Sequence, residues 1–151
     1  MLKIINVHEF AKSIDTAIEY IHGIWGNSKS FAYYQDAIRH SFTNSQLPQF
    51  YLLLHAGEPV GCAALITNDF ISRHDLYPWV ACLYVAEEFR GKAYGSRLLT
   101  HAVQQARAAG FSAAYLTTDH DGYYEKYGWQ RIEDGIDLFT GLASRIYKMN
   151  L

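Results

Sequence analysis

The run WVACLYVAEEFRGKAYGSRLL, Trp79 to Leu99, decides the fold. Its first seven residues form an apolar stretch too short for a helix, two glycines and three basic residues follow, and the last residues begin a helical pattern. Trp79 to Val85 is therefore predicted as a buried strand. Leu98, Leu99, Ala102, Val103 and Ala106 mark one face of a helix, and Gly110 sits where its C-cap belongs. Ala113 to Thr118 reads as the next buried strand, so a strand, a crossover helix and a strand predict a parallel pair. A strand that turns tightly into a helix aims unpaired backbone N–H groups outward, with the positive end of the helix dipole behind them. Gly91 and Gly95 let an anion approach the backbone, and Arg90 and Lys92 add positive charge. The stretch matches neither a P-loop nor Gly-x-Gly-x-x-Gly, and by spacing alone it serves a phosphate site or a solvated basic turn equally well.

Working outward, Leu2 to Val7 reads as a short strand. Phe10, Ile14, Ala17, Ile18, Ile21, Ile24 and Trp25 follow helical spacing, ended by Gly26-Asn27. Phe31, Tyr34, Ile38 and Phe42 predict a second helix, and Pro48 opens a strand over Gln49 to His55. Gly57-Glu58-Pro59 is predicted as the turn of an antiparallel hairpin leading into Val60 to Thr67. Beyond Thr118, Tyr123 to Tyr127 suggests a short helix broken at Gly128. Trp129 to Ile132 and Ala143 to Met149 suggest the final strands. The class is mixed α/β around one central sheet.

A chain of 151 residues, half of them apolar, fits one domain spanning 1–151. A formal charge of −2 gives no global attraction to nucleic acid or anionic membrane, so any basic function is local. Cys62 and Cys82 lie in apolar segments and are expected to be free, inert thiols. The N-terminal MLKIINVHEF lacks the apolar core of a signal peptide, and no segment reaches the roughly 18 uninterrupted apolar residues of a membrane span. The expected location is cytoplasmic.

The strand VACLYV, the segment EEFRGKAYGSRLL and, one helix and one strand later, YYEKYGW resemble the GNAT superfamily of acetyl-CoA-dependent N-acetyltransferases, strongly from about Val60 to Ile132 and loosely before it. The resemblance implies a mixed sheet of about six to seven strands flanked by helices, with a bulged fourth strand splayed from the fifth. The pantetheine arm of acetyl-CoA then lies in the gap like an added strand, against the backbone of Leu83, Tyr84 and Val85. The family's pyrophosphate loop, Gln/Arg-x-x-Gly-x-Gly/Ala, falls on Arg90-Gly91-Lys92-Ala93-Tyr94-Gly95, and the N–H groups from Arg90 to Ser96 are implied to bind the phosphates. Ala93 stands where glycine is usual and is tolerable if its φ stays negative. Thr117 stands where relatives often carry an asparagine that contacts coenzyme A. The Leu83 N–H matches the donor that stabilises the oxyanion, and Tyr124 matches the tyrosine that protonates the departing thiolate.

An ammonium acceptor must lose a proton before it attacks. At the strand positions where relatives often place Glu or His, this sequence has Trp79 and Ala81, which cannot act as bases. His74, Asp75, Asp119, His120 or a water chain remain. Asp75 could instead attract a cationic amine, and Trp79 and Tyr34, with Trp25 and Tyr33, could line the acceptor pocket; each aromatic fits core packing as well. The expected activity is direct acetyl transfer from acetyl-CoA to a primary amine, preferably of a small molecule, without a metal, by a monomer or homodimer. Acetylation of a protein N-terminus or lysine is an alternative, as is a non-catalytic acyl-CoA-binding module.

Overall fold

In the computed structural model, which describes residues 1–41 and 46–151, the strands are β1 (Leu2–Asn6), β2 (Gln49–His55), β3 (Glu58–Ile66), β4 (Trp79–Val85), β5 (Ala113–Thr118), β6 (Gln130–Ile136) and β7 (Ala143–Asn150). The helices are α1 (Ile14–Trp25), α2 (Phe31–Arg39) and α3 (Tyr94–Ala108). One seven-stranded sheet runs β1-β2-β3-β4-β5-β7-β6. Every neighbouring pair is antiparallel except β4 and β5, which are parallel and meet in register only at Trp79 and Tyr115. Beyond that point the two strands splay.

Both faces of the sheet are covered, which is why β2 and β3 read as nearly continuous apolar runs. Tyr51, Leu53, Ala63 and Leu65 pack against α3 through Leu98, Leu99 and Ala102. Phe50, Leu52, Cys62 and Ala64 point the other way, onto Ile18, Ile21 and Ile38 of α1 and α2. The two-residue period of the strands thus divides one hydrophobic run between two layers.

Local chemistry moves several element ends from their expected places. α1 begins at Ile14 because the Ser13 Oγ accepts from the Thr16 N–H at 3.0 Å, a cap that contributes about 1 kcal/mol. Phe10 is instead buried ahead of the helix, in the same cluster as Ala17, Ile18 and Ile21. Phe42, expected in α2, lies outside the described residues. The hairpin turn is Ala56-Gly57, with φ +52° and +82°, the left-handed pair that a two-residue loop needs. At the end of α3 the C-cap is Ala109, and Gly110 takes φ +89° just beyond it. The Gly110 and Phe111 N–H groups there donate to Arg107 and Ala106 carbonyls.

Candidate functional site

The turn after β4 has the geometry expected of a helix start, with one difference. Gly91 has φ +78°, and Ala93, at the N-cap of α3, has φ +62° and ψ 20°. The negative φ expected for Ala93 is therefore corrected: its methyl sits in the left-handed region that costs an ordinary residue roughly 1–2 kcal/mol. As at any helix start, the N–H groups of Tyr94, Gly95 and Ser96 have no acceptor within α3. Gly95 is not required by packing, since an added Cβ would meet only Val85 Cγ2 at 4.0 Å. The space above it suits a ligand that approaches the backbone closely. Arg90, expected to lend its charge, bends back: its Nε donates to the Val85 carbonyl at 2.7 Å and its guanidinium lies 5.6 Å from the Tyr84 ring centroid. Lys92 stays exposed, with Nζ 5.7 Å from the Phe89 ring centroid.

β4 leads from this turn into a bulge. Cys62 faces Tyr84 and Ala64 faces Ala81, so Cys82 and Leu83 stand opposite the single Ala63, and Cys82 adopts φ +54°. The Cys62 Sγ donates to the Cys82 carbonyl at 3.3 Å. Burial pushes both thiols up, Cys62 to about 12, so neither is a nucleophile at neutral pH. Between the bulge and β5 lies a cavity of about 740 Å³. Cys82 and Leu83 line one wall and Thr117, Thr118 and Tyr124 the other. The Thr117 hydroxyl is hydrogen-bonded to the Ser144 Oγ at 2.6 Å, which ties it to β7. Tyr124 is half-buried on a 3₁₀ turn (Tyr124–Tyr127). The Tyr147 hydroxyl steadies that turn by donating to Glu125 Oε2 at 3.0 Å. Burial raises the Tyr124 phenol and a hydrogen bond with Thr118 partly offsets this, so the group remains protonated at neutral pH.

At the opposite end of the cavity, α1, α2 and two loops converge. Tyr33 and Tyr34 line it, with the Tyr34 hydroxyl donating to the Trp25 carbonyl at 3.3 Å. The loop after β3 supplies Asp69 and Phe70. Both amide atoms of Asn68 bind the Ile71 backbone, at 2.8 and 3.1 Å, forcing a tight loop in which Phe70 takes φ +56°. So strained a backbone at a bulky residue points to a function for the ring. Its centroid lies 5.6 Å from Tyr33 and 5.0 Å from Phe139. Burial, with the nearby Asp137, pushes the Asp69 carboxyl up to about 7. Asp137 accepts from the Phe139 and Thr140 N–H groups at 2.8 and 2.9 Å. Asp69 was not singled out in the sequence, because nothing in its spacing ties it to Asp137 on a remote loop.

The other acceptor-side expectations need correction. Trp79 is fully buried, its Nε1 donating to the Leu76 carbonyl and its ring packed on Tyr115, so no acceptor reaches it. Asp75 does not line the cavity: Arg73 holds it with two hydrogen bonds of 3.0 Å and lowers its pKa. Arg73 also donates to Glu133 of β6 at 2.6 Å, and Ser72 exchanges hydrogen bonds with Ile136. Gly135 permits this close approach, since an added Cβ would sit 2.6 Å from Ile71 Cγ1. Of the expected bases, His120 lines the cavity whereas His74 and Asp119 do not. Among the described residues, no group of His, Cys, Asp and Glu is placed to hold a metal ion, and no helix is long and apolar enough to cross a membrane.

Residues 15–129 match the sequence model of the acetyltransferase (GNAT) family. An amino-acid acetyltransferase of Neisseria meningitidis serogroup A is 32% identical over 90 residues, which are 59% of this chain and 20% of that protein. The chain thus spans about a fifth of the length of the curated relatives it matches. The crystal structure of a GNAT family acetyltransferase from Elizabethkingia anophelis with acetyl-CoA bound superposes with a TM-score of 0.68 at 17% identity, covering 99% of this chain and 98% of that one. N-acetylglutamate synthase from Neisseria gonorrhoeae, complexed with coenzyme A and N-acetyl-glutamate, gives 0.67 at 24% identity, covering 100% of this chain and 35% of that one.

Proposed function

Because the chain belongs to the acetyltransferase (GNAT) family, we propose that it transfers the acetyl group of acetyl-CoA directly to a primary amine of a small molecule. The observation that carries this reading is the cavity between β4 and β5, open at the bulge, with Tyr124 on one wall and Asp69 at its far end. Acetyl-CoA supplies an activated acetyl thioester when bound. The helix-start N–H groups of Tyr94, Gly95 and Ser96 and the exposed Lys92 would hold its phosphates, and the edges of Leu83, Tyr84 and Val85 its pantetheine arm. The Leu83 N–H at the bulge would donate to the thioester oxygen as negative charge builds there.

Proton movements complete the reaction: the acceptor ammonium loses one proton before it attacks and a second, which restores the acid, as the amide forms, while the departing thiolate gains one. Asp69, with its carboxyl near 7, takes the proton of the incoming ammonium, directly or through water, and does so better than an ordinary aspartate. Tyr124, kept neutral, gives a proton to the departing thiolate. His74, Asp75 and Asp119 are not used, because none faces the cavity.

Free-thiol release from acetyl-CoA with a panel of amines tests the reading, alongside Tyr124→Phe. The expected result is a fall in kcat of about 10²-fold with coenzyme A affinity intact, the low end for general acid catalysis because a thiolate already leaves tolerably well. Wild-type kcat in the variant, when chemistry limits the rate, would falsify the acid role. No thermal shift of the wild-type protein with millimolar coenzyme A would overturn the function as a whole.

A further inference from the structure

The end of the cavity away from β5 is built unlike a site for an amino acid. A carboxylate is best met by a fixed cation, and among the described lining residues the only lysine or arginine is Lys29, which is exposed, while His120 follows β5 at the other end. The lining instead carries two acids, Asp69 and Asp137, and aromatic walls from Tyr33, Phe70 and Phe139. Phe139 is 72% exposed, so one face of this wall is open to an incoming molecule. Burial raises the Tyr33 and Tyr34 phenols, so these rings stay neutral. A second, mostly apolar recess of about 200 Å³ adjoins the cavity and shares Tyr33, Tyr34, Phe70 and Cys82 with it. Ala37, Leu47, Pro48, Phe50 and Ile66 give it further apolar walls, beside Thr67 and Asn68. A void of about 150 Å³ already accepts a benzene ring, so one ring fills such a recess.

Resting on the acetyltransferase reading above, we infer that the acceptor is a cationic arylalkyl amine without a carboxylate: the ring enters the recess beside Phe70, and the ammonium lies between Asp69 and the aromatic walls. The left-handed Phe70 supports this independently of the charges. Its strained backbone, pinned by Asn68, turns the ring to a position that touches Tyr33 and Phe139 and borders both spaces at once. Rings on that wall attract an ammonium through their faces, and the Asp69 carboxylate, whose ionised form the ammonium itself favours, fixes it. A carboxylate on the same molecule would face Asp69 and Asp137 with no buried partner of its own.

The test compares molecules that differ in one group, by calorimetry on the protein saturated with coenzyme A and by thiol release with acetyl-CoA. Phenethylamine should bind at least about tenfold more tightly than phenylalanine, which adds only the carboxylate, and more tightly than putrescine, which lacks the ring. Asp69→Asn should weaken phenethylamine about tenfold and leave 2-phenylethanol, its uncharged analogue, unchanged; this readout does not depend on turnover. Phenylalanine or glutamate binding as well as phenethylamine would overturn the inference, as would putrescine binding as well or an equal loss of 2-phenylethanol. Failure of coenzyme A itself to bind would instead overturn the acetyltransferase reading, so the two failures are told apart.

Discussion

The two ends of the cavity are made of different material. Toward the turn, what meets a ligand is backbone: the β4 bulge and the start of α3, fixed by Gly91, Ala93 and the bent-back Arg90. At the other end it is side chains, brought in by α1, α2 and the loops that follow β3 and β6. Backbone geometry of that kind follows from a short local pattern, whereas a side-chain site assembled from remote loops has no local pattern to betray it. A substitution at the first end should therefore act on coenzyme A and on the fold, and one at the second on the acceptor and its proton.

The largest effect that would break this division is at Asp69. Asp69→Asn should lower kcat/KM by about 10²- to 10⁴-fold and remove the rise in activity through pH 7. A pH–rate profile that keeps that rise in the variant would assign it to another group. The same residue has a stability signature. Its folded carboxyl holds a proton up to about pH 7, whereas the unfolded one loses it near 3.8, so the charge costs stability as pH rises through that window. Thermal unfolding should show Asp69→Asn more stable than the parent by on the order of 1–2 kcal/mol at pH 8 and little changed at pH 4.

At the turn end the expected effects are smaller and of another kind. Coenzyme A at a hundredfold excess over its Kd should stabilise the protein by about 2.7 kcal/mol, and Lys92→Glu should cut that shift while leaving the unliganded Tm alone. An unchanged shift would mean that the phosphates bypass Lys92. The smallest change expected is at Ala93. With φ at +62°, Ala93→Gly removes a steric strain and should raise stability by roughly 1 kcal/mol in denaturant unfolding. A loss would show that the turn relaxes around the methyl.

The same contrast explains what could be read before the fold was known. The order of strands and helices around WVACLYVAEEFRGKAYGSRLL follows from apolar period and glycine placement, and the parallel β4–β5 pair from the crossover between them. Even there, the φ of Ala93 escaped, because the demand for a left-handed residue comes from how β4 meets α3 rather than from the residue itself. At the acceptor end, Asp75 looked available because nothing in the sequence shows that Arg73, two residues earlier, folds back onto it. Trp79 stayed open between acceptor pocket and core because a strand's start does not say which neighbours cover it. Asp69 passed unnoticed between Asn68 and Phe70, since its altered acidity depends on burial and on Asp137, and neither is written in its vicinity.

The contact between the β3–β4 loop and the outer strand β6 carries one more consequence. Ile71 rests where Gly135 has no side chain, and Arg73 and Ser72 clasp Glu133 and Ile136. On the proposed reading, the shape of the amine pocket is thus held from the rim of the molecule by residues that no amine touches. Heritable changes along that rim can retune which amines are accepted while the coenzyme machinery on β4 and α3 stays as it is.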